Sequence, residues 1–171
     1  EMDSEKIRAF LAVELSDGIK DEALELVKPV QAALPSFRFI DVKNWHLTLH
    51  FFGRTPLADL ERVKTALEPV LKELEPFSLS LEGLGAFPNF SHPNLVWIGV
   101  TGNLRALETL KETVDRVLSS LSFPVERRAF HPHITIARAK KPDSQKRSAP
   151  EVRFKGKIAD RIECVTLFQS K

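Results

Sequence analysis

A histidine followed two residues later by a threonine occurs twice in this sequence, each time among apolar residues. The first copy is at residues 46–49 (HLTL) and the second at 133–136 (HITI). In a β-strand, side chains two residues apart point to the same side. Each copy is therefore predicted to place an imidazole and a hydroxyl on one face of a strand. We interpret the two copies as the halves of one site.

Two imidazoles in one cleft can act as acid and base in a single displacement. The unperturbed pKa of histidine, about 6.5, allows one ring to be neutral and the other protonated near neutral pH. We predict that His46 and His133 form this pair. The hydroxyls of Thr48 and Thr135 can hold the non-bridging oxygens of a bound anion. Such a site suits a phosphodiester and needs no metal.

Periodicity predicts the elements that must position these residues. Helices are expected to begin at Ser16 or Asp17, at Thr55-Pro56 and after Asn103, with Pro29 bending or shortening the first. Turn-forming residues predict a loop at 85–94, and charge predicts a surface loop at 140–150. Strands are predicted at 7–15, 37–40, 45–52, 77–82, 95–100, 126–139, 151–157 and 162–168. This order is α+β, and the motif spacing indicates a duplicated unit with approximate two-fold symmetry.

Composition limits the class of protein. A chain of 171 residues suits one domain, or two small lobes that share a core. The net charge of +2 permits an anionic ligand, but a non-specific nucleic-acid binder usually carries a denser basic stripe. Cys164 is the only cysteine, which fits a reducing cytoplasm. No apolar run reaches membrane-spanning length, and residues 1–6 lack the apolar segment of a signal peptide. We expect a cytoplasmic monomer.

A metal site is an alternative reading of the same histidines. His46, His50, His131 and His133 share one parity in their predicted strands. No carboxylate or cysteine lies at matching spacing, and threonine is a poor zinc ligand. We therefore predict no metal, and we place His50 and His131 at the rim of the cleft as substrate-binding residues.

Basic and aromatic residues near the second copy could contact the substrate. Arg138 is close enough to reach a phosphate, but its parity requires the strand to twist or bulge; otherwise it would pair with a surface carboxylate. Arg127 and Arg128 could steer a polyanion or simply be exposed. Four aromatic residues are predicted mostly in the core, and one of them near the cleft could stack on a base: Phe10, Phe87, Phe90 and Trp97.

Several segments together resemble the 2H phosphoesterase superfamily. They are residues 7–13 (IRAFLAV), 44–53 (NWHLTLHFFG), 85–88 (GAFP), 96–100 (VWIGV) and 130–138 (FHPHITIAR). Within that superfamily the chain looks like the RNA 2′,3′-cyclic phosphodiesterases, also called 2′-5′ RNA ligases of the LigT/ThpR type. The resemblance covers nearly the whole chain. It implies a single bilobed domain over residues 1–171, with two antiparallel sheets and flanking helices around a central cleft.

The resemblance also implies a substrate and a role for each motif residue. The substrate would be an RNA or nucleotide end bearing a 2′,3′-cyclic phosphate, which water opens to a 2′-phosphate. By analogy His46 protonates the departing 3′ oxygen, His133 activates the water, and Thr48 and Thr135 hold the phosphoryl oxygens. No cofactor is implied. The reverse reaction would join a cyclic end to a 5′-hydroxyl as a 2′-5′ linkage.

The chain departs from the family pattern at two places. Position 50 is usually Lys or Arg and is histidine here, and the family usually continues past residues 167–170 into a further segment. Two other functions stay open at this point. One is a 2H enzyme acting on another cyclic or 2′-5′-linked nucleotide. The other is a nucleotide- or RNA-binding module whose histidines only recognise phosphate.

Overall fold

The computed structural model describes residues 5–140, 157–162 and 165–169. Its helices are α1 (Asp17–Ala33), α2 (Leu57–Lys72) and α3 (Leu104–Ser120), and a short 3₁₀ turn spans Val42–Asn44. The strands are β1 (Lys6–Val13), β2 (Phe37–Phe39), β3 (Leu47–Pro56), β4 (Phe77–Phe87), β5 (Leu95–Gly102), β6 (His133–Ala139), β7 (Lys157–Ile162) and β8 (Val165–Gln169).

The strands form two antiparallel sheets. The first has three strands in the order β3-β1-β8, and the second has five in the order β2-β6-β5-β4-β7. Every strand pair is antiparallel. This confirms the predicted α+β class with two antiparallel sheets.

Each sheet contains the same three-element unit. In the first, β1 leads into the 17-residue helix α1, and β3 returns antiparallel beside β1. In the second, β5 leads into the 17-residue helix α3, and β6 returns antiparallel beside β5. The two motif strands therefore occupy equivalent places in the two sheets, in agreement with the predicted duplication.

Two helices begin at the predicted caps. The Ser16 side chain accepts a hydrogen bond from the Ile19 amide at 3.3 Å, and Asn103 accepts one from the Ala106 amide at 3.1 Å. These bonds satisfy amides that the first turn of a helix leaves without partners. The apolar faces of α1, α2 and α3 join both sheets in one continuous core.

The predicted start of α2 is wrong. β3 continues to Pro56, and the Thr55 hydroxyl donates to the Phe52 carbonyl at 3.2 Å instead of capping the helix. Helix α2 begins at Leu57 with no side-chain cap. The prediction that Pro29 could shorten the first helix is also wrong, because α1 continues through Pro29 to Ala33. Proline removes only one helical hydrogen bond, and the buried stripe of α1 extends on both sides of it.

Other boundaries differ from the prediction. β4 extends through Phe87, so part of the loop predicted at 85–94 is strand, and β6 begins only at His133 rather than at residue 126. A Cβ at Gly85 would lie 2.0 Å from the Trp97 ring, so only glycine lets the indole lie across β4. The loop predicted at 140–150 and the strand predicted at 151–157 lie outside the described residues, apart from 140 and 157.

None of the helices in the described part of the chain is both long and apolar enough to cross a membrane.

Candidate active site

Residues of both sheets line a single cavity of about 1280 Å³. His46, just before β3, and Thr48, near its start, line the cavity on one side. His133 and Thr135 line it from β6. The structure therefore brings the two copies of the motif, 87 positions apart in the sequence (133 minus 46), to one place.

Alternating burial orients the motif side chains. Trp45, Leu47 and Leu49 are buried, whereas His46 and Thr48 between them are half-buried. The same alternation holds in β6, where the two isoleucines of the motif are fully buried. Because the apolar side chains pack in the core, the imidazoles and hydroxyls remain on the cavity side. The Trp45 indole N–H also donates to the Ile40 carbonyl at 3.0 Å, which fixes the chain next to His46.

A hydrogen bond fixes the tautomer of His133. Its Nδ1 lies 2.7 Å from the His131 carbonyl oxygen. A carbonyl can only accept, so Nδ1 carries the hydrogen, and the neutral ring has its lone pair on Nε2. Phe87 contacts the ring edge-on at 5.2 Å, and Trp97 lies 5.9 Å from it. The hydrogen bond and the aromatic contacts thus hold the His133 ring with the lone pair of Nε2 available.

His46 is held differently, by ring contacts. It stacks on Phe168 with ring centroids 4.2 Å apart, and Phe10 lies 5.6 Å away. Its buried Nδ1 has no hydrogen-bond partner among the described residues. Burial lowers the pKa of His46, the charge of Lys20 lowers it further, and Glu14 acts weakly in the opposite direction. Without a bound anion, His46 therefore favours its neutral form more than an ordinary histidine does.

Phe168 was missed in the sequence because its contact depends on a strand far along the chain. β8 pairs with β1 so that Phe168 lies opposite Phe10, and the two rings stack at 5.3 Å. This pairing places the Phe168 ring against His46. No spacing in the sequence indicates it.

A bulge in β6 turns Arg138 toward the cavity. Trp97 in β5 pairs with Thr135, and Leu95 pairs with Arg138, which leaves Ile136 as an extra residue. Trp97 and Leu95 are two apart and share a face, so their partners Thr135 and Arg138 also share one. Arg138 is exposed and lines the cavity. The bulge required by the sequence-based prediction is therefore present.

A second bulge moves His50 away from the predicted face. Thr48 pairs with Ala12 and His50 pairs with Leu11, leaving Leu49 as the extra residue. Because Leu11 and Ala12 are consecutive in β1, their partners point to opposite sides. The predicted shared parity of His46 and His50 is wrong for this reason.

His50 still lines the cavity, but at a different part of its wall. Its ring contacts Phe52 edge-on at 4.7 Å. Burial lowers the pKa of His50, Lys111 of α3 lowers it further, and Asp115 opposes the shift. His50 is therefore adjacent to the charges of α3.

His131 is exposed at the cavity and contributes its backbone carbonyl to His133, a role that the sequence did not indicate. In the part of the chain that the structure describes, no three His, Cys, Asp or Glu side chains are placed to hold a metal ion.

Two further cavity residues were not singled out from the sequence. The bulge at Leu49 puts Phe51 on the cavity face, where it is 68% exposed and lies 5.7 Å from Phe10. Lys111 of α3 is buried at the cavity wall. Helical spacing from Leu107 and Leu110 places Lys111 on the apolar stripe, a signal present in the sequence.

A model of the 2′-5′ RNA ligase superfamily matches residues 20–169. A protein of Methanothermobacter thermautotrophicus is 33% identical over 144 residues, which cover 84% of this chain and 77% of that protein. A protein of Methanocaldococcus jannaschii is 32% identical over 157 residues, covering 92% of this chain and 80% of that protein. Both relatives are named RNA 2′,3′-cyclic phosphodiesterase.

Solved structures share the fold. Escherichia coli LigT complexed with 3′-AMP is 22% identical and superposes with a TM-score of 0.75, covering 98% of this chain and 90% of that one. TT0787 of Thermus thermophilus is 25% identical with a TM-score of 0.68, covering 94% of this chain and 87% of that one. The family resemblance predicted from the sequence is confirmed. The chain belongs to the 2′-5′ RNA ligase superfamily.

Proposed function

We propose that this protein is an RNA 2′,3′-cyclic phosphodiesterase that opens a 2′,3′-cyclic phosphate at an RNA or nucleotide end to a 2′-phosphomonoester. The observation that carries this proposal is the arrival of two His-x-Thr pairs, from equivalent strands of two sheets, in one cavity. The names of the relatives from Methanothermobacter thermautotrophicus and Methanocaldococcus jannaschii support the same activity.

Each histidine has one proton to move in the proposed reaction. His133 Nε2 removes a proton from water, and the water oxygen forms a bond to phosphorus. The bond between phosphorus and the 3′ oxygen breaks, and the imidazolium of His46 donates its proton to that oxygen. The hydrogen bond from His133 Nδ1 to the His131 carbonyl supports the base role, because it leaves Nε2 as the acceptor.

The remaining motif residues are proposed to hold the phosphoryl oxygens. Thr48 and Thr135 are half-buried at the cavity, where a hydroxyl donor acts more strongly than in bulk water. Arg138 shares the face of Thr135 and can neutralise the phosphate charge. His131 acts on His133 through its backbone, and His50 contacts substrate only at the wall next to α3.

The lowering of the His46 pKa by burial leads to a prediction about ligand binding. We expect the pKa of His46 to lie below 6.5 in the free protein, because burial and Lys20 disfavour the imidazolium. Inorganic phosphate in the cavity should raise it, because an anion stabilises the protonated ring. A nuclear magnetic resonance titration of the imidazole nitrogens, with and without phosphate, measures both values.

His92 provides the internal control for that titration. It is exposed and does not line the cavity, so its resonances should not respond to phosphate. A His46 pKa above 6.5 in the free protein, or one that phosphate leaves unchanged, would contradict the proposed state of this ring.

Hydrolysis of a cyclic mononucleotide tests the proposed function. The purified protein is incubated with 2′,3′-cyclic AMP in the presence of EDTA, and the product is separated by chromatography. We expect a phosphomonoester at a rate that the chelator does not change. Binding without product would favour a recognition module, and turnover that disappears with EDTA would contradict a mechanism based on two histidines.

A further inference from the structure

The two motif histidines are held by different kinds of contact. His133 has a hydrogen bond from Nδ1 to the His131 carbonyl oxygen at 2.7 Å. The buried Nδ1 of His46 has no such partner within the described part of the chain. An imidazole without a hydrogen bond is free to rotate, and it lacks the stabilisation that such a bond gives to a protonated ring. The orientation and charge of His46 therefore depend on other contacts.

Aromatic rings provide those contacts. The Phe168 ring stacks on His46 with ring centroids 4.2 Å apart and 28° between the two planes. Phe10 also contacts the imidazole, at 5.6 Å and 45°. Phe168 is the closer of the two and the more nearly parallel, so the face of its ring lies against the imidazole.

Strand pairing fixes the Phe168 ring. Phe168 of β8 lies opposite Phe10 of β1, and Phe10 lies opposite Phe51 of β3, so three phenylalanines form a row across the first sheet. Neighbouring rings in this row are 5.3 Å and 5.7 Å apart. Phe10 and Phe51 line the cavity and Phe168 does not. Phe168 is therefore placed to act on His46 and not on substrate.

The face of an aromatic ring is the negative part of its quadrupole and attracts a cation placed over it. His46 is a cation when it is protonated and uncharged when it is not, so the face of Phe168 favours the protonated ring. Two charged groups also act on His46. Lys20 of α1 disfavours the imidazolium, and Glu14, which follows β1, favours it. The Phe168 ring thus acts in the same direction as Glu14, against burial and Lys20.

We propose that Phe168 is a positioning residue for the proposed general acid. It keeps the His46 imidazole in one orientation and stabilises its protonated form. Strand β8 then takes part in the reaction although none of its described side chains lines the cavity. This inference rests on the proposed function, and it adds a residue that acts through His46.

Three changes at position 168 separate the effect of the ring face from that of its bulk. Phe168→Leu keeps an apolar side chain and removes the ring, whereas Phe168→Tyr keeps the ring. Pentafluorophenylalanine in place of Phe168 keeps the shape of the ring and reverses its quadrupole. The pKa of His46 is measured by a nuclear magnetic resonance titration of the imidazole nitrogens. The kcat and KM are measured with 2′,3′-cyclic AMP.

In Phe168→Leu we expect the pKa of His46 to fall by about half a unit, because the aromatic face no longer stabilises the cation. The kcat should fall about tenfold, because the acid is less often protonated and its ring is no longer held in place. The KM should stay within about twofold of the parent value. Phe168→Tyr should retain the parent pKa and kcat, and the fluorinated ring should lower the His46 pKa at least as far as leucine does.

Phe77→Leu is the matched control, because Phe77 is a half-buried strand residue of β4 that does not line the cavity. It should leave the His46 pKa and kcat unchanged. A purely structural role for Phe168 would lower the melting temperature without moving the His46 pKa, and that result would overturn the inference. An equal loss in Phe168→Tyr and Phe168→Leu would overturn it as well, and so would a lower pKa with kcat unchanged.

The fluorinated protein decides the case in which Phe168→Leu does not fold, because its ring has nearly the shape of phenylalanine. An unchanged His46 pKa in that protein would contradict the proposed stabilisation of the imidazolium. Failure of the folded parent protein to hydrolyse 2′,3′-cyclic AMP would instead overturn the proposed function.

Discussion

Alanine at His133 or at His46 is expected to reduce kcat for 2′,3′-cyclic AMP by about 10²- to 10⁴-fold, the range that a general acid or base contributes. His133→Ala removes the only proposed acceptor for the water proton. His46→Ala leaves the 3′ oxygen to depart without a proton. Steady-state kinetics, with circular dichroism to verify folding, measures the effect.

The double variant makes this first prediction sharper. Because both histidines act in one displacement, the loss in the double variant should be much smaller than the product of the two single losses. His92→Ala is the control, since His92 is exposed outside the cavity. A folded single variant with more than a third of the parent kcat would eliminate that histidine from the mechanism.

The second large effect is expected from the two threonines. Valine has the shape of threonine and lacks the hydroxyl, so Thr48→Val and Thr135→Val remove one hydrogen-bond donor each. Loss of one donor to a developing oxyanion costs about 10²- to 10³-fold in kcat in enzymes where it has been tested. We expect each variant to lose about 10²-fold in kcat, the lower end of this range, because Arg138 and the other threonine hydroxyl can still hold the phosphoryl oxygens.

A matched substitution separates chemistry from strand stability. Thr101 lies on β5 outside the cavity and donates its hydroxyl to Glu82 at 3.1 Å. Thr101→Val should leave kcat unchanged, and all three variants should melt within a few degrees of the parent protein. If Thr48→Val and Thr135→Val keep full activity, these hydroxyls do not hold the reacting phosphate.

The sequence predicted the features of the site that depend on hydrophobic alternation. Apolar residues beside His46 and His133 are buried, and this burial determines the face on which each imidazole and each hydroxyl lies. The α+β class and the duplicated unit also follow from periodicity and motif spacing. Both depend on patterns that extend over many residues, so an error of one or two positions in a boundary does not change them.

Features that depend on a single extra residue were not predictable. The bulge at Leu49 reverses the direction of His50, and the bulge at Ile136 brings Arg138 to the cavity face. A bulge changes strand parity without a signature in a pattern of period two. Contacts between strands that are far apart in the sequence were also not predictable, because no local pattern indicates which strands pair. The stacking of Phe168 on His46 is the clearest example.

The position of phosphate in the product tests the central proposal most directly. The protein is incubated with 2′,3′-cyclic AMP, and ³¹P nuclear magnetic resonance distinguishes 2′-AMP from 3′-AMP as they form. Protonation of the 3′ oxygen by His46 predicts 2′-AMP as the product, and its formation should slow by about 10²- to 10⁴-fold in both His46→Ala and His133→Ala. Accumulation of 3′-AMP, or no hydrolysis by the folded parent protein, would contradict the proposed reaction.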